Sequence, residues 1–186
     1  MPTSDSVDAP LGRRRLLGLA LAAGCGLLLP SVRPARAHGA ARRLAFHSIH
    51  TGESLRATYW ESGRYLPDSL REIDFVLRDF RTGDVRTIDP ALLDVLHQLC
   101  ATMEYGEPIS VISGYRCPAT NAMLAARSSG VARNSFHLHG MAIDIRLPGR
   151  RLAAVRDTAI GIGRGGVGYY PGSDFVHVDT GPVRRW

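Results

Sequence analysis

Lysine is absent from this chain of 186 residues, so all 23 of its basic residues are arginine, against 17 acidic residues. No basic stretch is interleaved with aromatic residues, which argues against a nucleic-acid-binding protein. The chain has no internal repeat, which excludes the repeat architectures. The helical zinc motif HExxH is also absent, so a metal site of that kind is excluded.

Long hydrophobic runs are lacking as well. The apolar stretch from Leu16 to Leu29 is shorter than the roughly 20 residues that a membrane span needs. Arg13-Arg14-Arg15 precede Leu16-Leu17, and Ala35-Arg36-Ala37 follows the stretch. This order is typical of a twin-arginine signal peptide with an A-x-A cleavage site.

The chain therefore divides into a signal peptide at residues 1–37, a short linker at 38–43 and a domain at 44–186. Two alternatives remain at this stage: an uncleaved signal anchor, and a lipoprotein modified at Cys25. The first is disfavoured by the length of the apolar stretch, and the second by Ala22, which stands where a lipobox normally has leucine. We expect a periplasmic or otherwise extracytoplasmic protein whose contact with the membrane is limited to the uncleaved signal.

Cleavage after Ala37 leaves 149 of the 186 residues, a length that suits one domain. This part retains two of the three cysteines, Cys100 and Cys117. An oxidising compartment permits a disulfide between them, but Cys100 also lies on an apolar helical stripe, where free cysteine is common. The sequence leaves both possibilities open, as it does the oligomeric state.

Alternating and helical patterns follow one another without strict βαβ order. Residues 44–50 and 53–60 predict a β-hairpin, and 165–170 and 174–179 predict a second one. Apolar stripes predict helices over 70–80 and 92–103, with further helices after Pro118 and from Leu152. Strands are predicted at 109–113 and 140–147. This order favours an α+β domain with a largely antiparallel sheet flanked by helices.

Two histidines and an aspartate stand among the glycines and short strands of the C-terminal third: His137, Asp144 and His177. Two imidazoles and one carboxylate are a typical ligand set of a catalytic zinc ion, which keeps a fourth position open. The spacing alone is weak evidence. A loop histidine near a strand aspartate that binds no metal would show the same spacing in the sequence.

The order of residues around this set carries more information. Ser135 to Asp144 spell S-x-H-x-x-G-x-A-x-D, SGYR begins at Ser113, and D-x-x-H runs from Asp174 to His177. Together these motifs resemble the zinc D-alanyl-D-alanine metallopeptidases, which include the VanX- and VanY-type enzymes. The ending GGVGYYPGSDFVHVDTGPVRRW looks most like the MepK/YcbK-type branch of murein endopeptidases. The resemblance covers roughly residues 44–186.

The resemblance implies a role for each motif residue. His137, Asp144 and His177 correspond to the zinc ligands, and Arg116 corresponds to a substrate-binding arginine. The family usually carries an acidic general base three residues before the last ligand, which is Asp174 here. Asp179 is the alternative base, because it shares strand parity with His177.

The expected function is zinc-dependent hydrolysis of cross-links between peptidoglycan stem peptides, including links between two diaminopimelate residues. The alternatives are a D,D-carboxypeptidase or D-Ala-D-Ala dipeptidase, and a non-catalytic protein that binds the cell wall. The resemblance implies the small α+β fold that D,D-peptidases share with hedgehog domains.

Overall fold

The computed structural model of the protein describes residues 40–128 and 130–186. The predicted signal peptide and the first residues of the predicted linker lie outside this part of the chain. The described residues form the helices Pro67–Val76 (α1), Pro90–Thr102 (α2), Pro118–Arg127 (α3) and Leu152–Ile162 (α4). The strands are Arg42–Ser48 (β1), Ser54–Glu61 (β2), Arg64–Tyr65 (β3), Ile109–Ser113 (β4), Ala142–Arg146 (β5), Gly166–Tyr170 (β6), Phe175–Asp179 (β7) and Arg184–Arg185 (β8).

All of these strands belong to one sheet with the order β3-β2-β1-β4-β5-β7-β6-β8. The pairs β1–β4 and β6–β8 are parallel, and the other neighbouring pairs are antiparallel. The predicted α+β class with a largely antiparallel sheet is therefore confirmed. The strands that carry the predicted ligands, β5 and β7, lie next to each other inside the sheet, where neither has a free edge.

Helix α2 supplies much of the core. Asp89 caps its N-terminus by accepting a hydrogen bond from the Ala91 N–H at 2.9 Å. Pro90 occupies the first helical turn, where the N–H group that proline lacks would have no partner within the helix. The apolar face of α2 is buried through Leu92, Leu96 and Leu99. This face belongs to the same hydrophobic core as the buried side chains of the strands β1, β4 and β5.

Helix α1 is shorter than its apolar stripe predicts. The stripe extends to Phe80, but the helix ends at Val76. The Leu77 carbonyl accepts a hydrogen bond from the Tyr115 N–H at 2.8 Å. Helix α1 thus ends at the point where the Tyr115 N–H, from a distant part of the chain, satisfies a carbonyl at the end of the helix.

Both cysteines of the domain are free thiols, which excludes the disulfide alternative. Cys117 is the N-cap of α3, and its sulfur accepts from the Thr120 N–H at 3.4 Å. Cys100 lies on α2 and is partly buried beside the core, as the apolar stripe suggested.

Within residues 40–128 and 130–186, no helix combines the length and the apolar character that a membrane crossing requires.

An ion pair with two tyrosine hydroxyls joins α2 to the N-terminal strands. Asp94 accepts hydrogen bonds from Arg42 Nη1 at 2.6 Å, from the Tyr59 hydroxyl at 2.9 Å and from the Tyr65 hydroxyl at 2.8 Å. Burial opposes ionisation of Asp94, but the hydrogen bonds from Arg42 and the tyrosines outweigh it and hold its pKa below 3.8. The carboxylate therefore stabilises the folded state.

We expect Asp94→Ala to lower the free energy of unfolding by roughly 2–4 kcal/mol, because Arg42 and the buried Tyr59 hydroxyl lose a charged partner. Asp157→Ala, at an exposed carboxylate that pairs with Arg156, is the control and should stay within about 0.5 kcal/mol. Urea unfolding at pH 7 measures both. The Asp94 effect should shrink as the pH falls below about 4, since a carboxylate with a lowered pKa contributes only while it is ionised. Equal losses for the two variants would contradict this account.

Candidate metal centre

Adjacent strands position two of the three predicted ligands. Asp144 of β5 is the register partner of His177 of β7, and its other neighbour is Ser113 of β4. Residues directly opposite each other in an antiparallel pair project from the same face of the sheet. His137 approaches from a single 3₁₀ turn, Phe136–His139, which leads into β5. All three side chains are buried.

The three ligand atoms meet at one point. His137 Nε2 lies 3.2 Å from Asp144 Oδ1, His177 Nδ1 lies 2.9 Å from the same oxygen, and the two nitrogens are 3.2 Å apart. Two ligands about 2.0–2.1 Å from a tetrahedral zinc ion lie roughly 3.3 Å from each other. The separations in this protein therefore match those around one tetrahedral ion, and among the described residues this is the group whose ligand atoms could hold a metal ion.

The backbone determines which nitrogen of His137 faces the cluster. His137 Nδ1 donates to the Gly114 carbonyl at 2.6 Å, and a carbonyl oxygen can only accept. The proton is therefore on Nδ1, and Nε2 presents a lone pair. Gly114 must be glycine here, because a Cβ atom would lie 2.4 Å from the Leu77 carbonyl oxygen.

A buried carboxylate determines the orientation of His177 in the same way. His177 Nε2 lies 3.0 Å from Asp179 Oδ2, so it donates its proton to that carboxylate and leaves the Nδ1 lone pair free. With His177 in this neutral form, the cluster consists of two lone-pair nitrogens and a carboxylate oxygen. Three such acceptors in contact inside a protein need a positive charge, which a metal ion or a proton on His177 Nδ1 can supply. The donor set fits zinc, with room for a further ligand.

The pKa values of these residues follow from their burial and from their charged neighbours. Burial lowers the pKa of His137, and Asp144 offsets this only in part. Burial also disfavours the charged form of His177, but its hydrogen bonds to Asp144 and Asp179 outweigh burial and raise its pKa. Burial opposes ionisation of Asp144 too, yet the two histidines and Arg116 lower its pKa. The site thus holds an ionised carboxylate ready to bind a cation.

Arg116 contacts the cluster directly. It follows β4, its Nε donates to Ser113 Oγ at 2.8 Å, and its Nη2 donates to Asp144 Oδ2, the oxygen that faces away from the histidines. Its side chain is largely buried, although it lines the adjacent cleft. The guanidinium predicted to bind substrate therefore also orients a predicted metal ligand.

The two predicted base residues lie in different surroundings. Asp174 occupies a left-handed backbone position (φ 52°) between β6 and β7, is 61% exposed and pairs with Arg146 at 3.0 Å. It does not line the cleft, but its neighbours Ser173 and Phe175 do. Asp179 is fully buried. It accepts from His177 and from the N–H groups of Gly166 and Gly181 at 2.9 and 2.8 Å.

His139 lies apart from the cluster. Its side chain lines a separate groove with Arg86 and Arg133, on the α3 side of the turn that carries His137. His139, two residues after the predicted ligand His137, is thus not part of the cluster.

An open cleft of about 710 Å³ gives access to the cluster. Its walls are the loop 130–136, the aromatic side chains of Tyr170 and Phe175, and the C-terminal residues Arg184 and Trp186. The sequence reasoning did not identify Arg184 or Trp186. The signal that would have pointed to them is the pair of glycines at 166 and 168, which leaves space for the side chains of Arg184 and Trp186 beside β6.

Comparison with known proteins identifies the family of the chain. The family model described as peptidoglycan L,D-endopeptidase MepK matches residues 36–186. The chain is 39% identical over 183 residues to peptidoglycan L,D-endopeptidase MepK of Escherichia coli strain K12, covering 98% of this chain and 100% of the relative. It is 40% identical over 176 residues to the probable peptidoglycan L,D-endopeptidase MepK of Haemophilus influenzae, covering 94% of this chain and 95% of the relative.

The family expected from the motifs is confirmed by these matches, which extend over nearly the whole chain. With its cluster of two histidines and one aspartate at the base of an open cleft, the chain belongs to the MepK family of M15 peptidases.

Proposed function

We propose that this protein is a zinc-dependent peptidoglycan endopeptidase that hydrolyses cross-links between stem peptides. The observation that carries the proposal is the convergence of three potential ligand atoms, 2.9–3.2 Å apart, at the base of a cleft. The relatives named peptidoglycan L,D-endopeptidases, at 39–40% identity over nearly the whole chain, support the choice of substrate.

In this proposal, His137 Nε2, Asp144 Oδ1 and His177 Nδ1 hold the zinc ion. A zinc ion held by these residues would supply Lewis-acid chemistry, by polarising the scissile carbonyl and by lowering the pKa of a water molecule to about 7. The protein keeps the three ligands in place before the metal arrives, through Gly114, Arg116 and Asp179. Partners of this kind typically change metal affinity or activity 10–100-fold when they are removed.

Arg116 combines two tasks in the proposal. Its Nη2 holds Asp144, while the guanidinium borders the cleft in which the peptide binds. Cross-linked stem peptides are rich in carboxylates, and guanidinium groups bind carboxylates strongly. A substrate carboxylate and Asp144 thus share one cation.

Asp174 remains the proposed general base, with Asp179 as the alternative. Asp174 is exposed between the cleft-lining residues Ser173 and Phe175, and it has to leave Arg146 to reach the reacting centre. Catalytic contacts often form only with substrate bound. Its carboxylate then takes the proton of the attacking water and returns it to the leaving amine. Asp179 is less suited to this task, because its oxygens already accept hydrogen bonds from His177 and backbone amides.

The proposed bond is the L,D bond of a cross-link, including one between two diaminopimelate residues. A D,D-carboxypeptidase or D-Ala-D-Ala dipeptidase is the closest alternative, and the names of the relatives argue against it. A non-catalytic wall-binding protein is disfavoured by the complete ligand cluster.

We also propose that residues 1–37 direct export through the twin-arginine route and are removed, so that the domain acts outside the cytoplasm. The support is the sequence pattern, together with a substrate that lies outside the cytoplasmic membrane.

The purified domain should bind about one zinc ion per chain and release monomeric muropeptides from cross-linked ones. His177→Ala should abolish both zinc binding and cleavage, because it removes one of three ligands. His139→Ala is the matched control and should retain both, since His139 lines a different groove. Elemental analysis and chromatography of digested muropeptides provide the measurements.

Analysis of the products also tests which bond the protein cleaves. Cleavage restricted to D,D cross-links or to terminal D-alanine would replace the proposed specificity by one of the alternatives. A folded, metal-free protein with full activity would refute the mechanism.

The two aspartates can be separated from each other by substitution. Asp174→Asn should leave zinc bound while turnover falls roughly 10²–10⁴-fold, the usual contribution of general acid–base catalysis. Asp179→Asn should weaken zinc binding by roughly 10–100-fold and cost less turnover once zinc is saturating. Zinc titration and turnover rates on cross-linked muropeptides check both. A nearly normal Asp174→Asn beside an inactive, zinc-loaded Asp179→Asn would transfer the base role to Asp179.

Replacing Arg13 and Arg14 by lysine should leave full-length precursor in the cytoplasm, because the twin-arginine route requires both arginines. The unaltered protein should give a mature N-terminus at His38. Cell fractionation with N-terminal sequencing tests this. Normal export of the double variant would indicate the general secretory route, and a lipid on Cys25 would indicate an anchored lipoprotein.

A further inference from the structure

The last residues of the chain are fixed beside the metal centre. Strand β8 pairs in parallel with β6, with Gly166 opposite Arg184 and Val167 opposite Arg185. The following residue, Trp186, donates its N–H to the Val167 carbonyl at 3.2 Å, and its own carbonyl accepts from the Tyr169 N–H at 3.0 Å. The chain end is therefore an ordered part of the sheet.

Arg184 binds the carboxylate that orients His177. Its Nη2 donates to Asp179 Oδ2 at 2.6 Å and its Nη1 donates to Asp179 Oδ1 at 3.2 Å. This two-nitrogen contact is the fork geometry in which arginine holds a carboxylate most firmly. The path from Arg184 through Asp179 to His177 Nε2 is continuous, with a bond of 3.0 Å at its second step.

Two aromatic rings hold the guanidinium in this position. Arg184 Cζ lies 4.9 Å from the centre of the Phe136 ring and 4.9 Å from the centre of the Trp186 ring. The Trp186 indole N–H donates to the Tyr170 hydroxyl at 2.7 Å, and its ring lies 5.3 Å from that of His177. Cation–π contacts on both sides restrict a side chain that is otherwise flexible.

The backbone around these groups leaves room for nothing larger than glycine. A Cβ atom on Gly166 would lie 2.5 Å from Asp179 Oδ2 and 2.8 Å from Arg184 Nη1. A Cβ atom on Gly168 would lie 2.8 Å from the Trp186 ring, and one on Gly181 would lie 2.4 Å from the Phe136 ring. The glycines of β6 thus leave the space that the side chains of Asp179, Arg184 and Trp186 occupy.

We propose that Arg184 is a positioning residue of the metal centre. It neutralises the buried Asp179 and fixes its rotamer, so that Asp179 accepts from His177 Nε2 and the His177 Nδ1 lone pair points at the metal. The inference rests on the proposed function, since Arg184 would position a ligand of the proposed zinc site. Arg184 does not contact the three ligand atoms and acts through Asp179.

The test compares Arg184→Met and Arg184→Lys with Arg185→Met. Arg185 is the matched control, because it belongs to the same short strand, carries the same charge and is exposed. Zinc affinity is measured by competition with a chromophoric chelator, and the visible spectrum of the cobalt-substituted protein reports ligand geometry. We expect Arg184→Met to bind zinc roughly 10–100-fold more weakly, the usual cost of losing an outer partner of a ligand, with an altered cobalt spectrum. Arg184→Lys should lie between Arg184→Met and the wild type, and Arg185→Met should match the wild type.

A double variant tests whether the effect passes through Asp179. If it does, Arg184→Met should add little to the loss of zinc affinity caused by Asp179→Asn, since residues that act through one contact are not additive. Full additivity would overturn the proposed path.

The remaining outcomes distinguish the two proposals. A folded Arg184→Met with wild-type zinc affinity and cobalt spectrum overturns the role of Arg184 and leaves the proposed function intact. If Arg184→Met does not fold, Arg184→Lys decides: weakened zinc binding supports the inference, and unchanged binding overturns it. A wild-type protein that binds no zinc overturns the proposed function and this inference with it.

Discussion

The meeting of three lone-pair donors at one buried point is the constraint on which the rest of the site depends. His137 Nε2, His177 Nδ1 and Asp144 Oδ1 lie 2.9–3.2 Å apart, closer than acceptors remain without a cation between them. Each donor is therefore kept from turning away by its own partner: the Gly114 carbonyl, the Asp179 carboxylate and the Arg116 guanidinium. These partners explain why the cluster is already arranged as a metal site in the fold itself.

The sheet makes this arrangement possible by placing three strand segments side by side. β4 leads to Gly114 and Arg116, β5 carries Asp144, and β7 carries His177 and Asp179. The register of the β5–β7 pair places Asp144 directly opposite His177, so both ligands lie on paired strands and neither lies on a loop. Because side chains on paired strands move little relative to each other, the metal need not organise its ligands, and less conformational entropy is lost on binding.

The sequence was sufficient for the features that depend on local patterns. Alternation located β5 and β7, Asp89-Pro90 located the start of α2, and the motifs pointed to His137, Asp144 and His177, which the structure brings together. Contacts between distant segments could not be inferred. The Leu77 carbonyl ends α1 by accepting from Tyr115, and Arg184 reaches Asp179 only because β8 pairs with β6. Neither contact leaves a periodic signal, since each depends on how the sheet is assembled.

Burial distinguishes the two aspartates that the sequence could not separate, and it favours a different task for each in the proposed mechanism. Asp179 is fully buried, and its oxygens accept from His177, two backbone amides and Arg184. Burial opposes ionisation of Asp179, but hydrogen bonds to its ionised form outweigh burial and lower its pKa. It is therefore a weak proton acceptor, and its protonation would also release His177. Asp174 is exposed, with one ion pair to Arg146 in a solvated setting, and an exposed ion pair costs about 1 kcal/mol or less to break. A carboxylate that must accept and return a proton in each turnover needs this freedom, whereas one that orients a metal ligand needs the opposite. The same fold thus supports an orienting role for the buried aspartate and proton transfer for the exposed one.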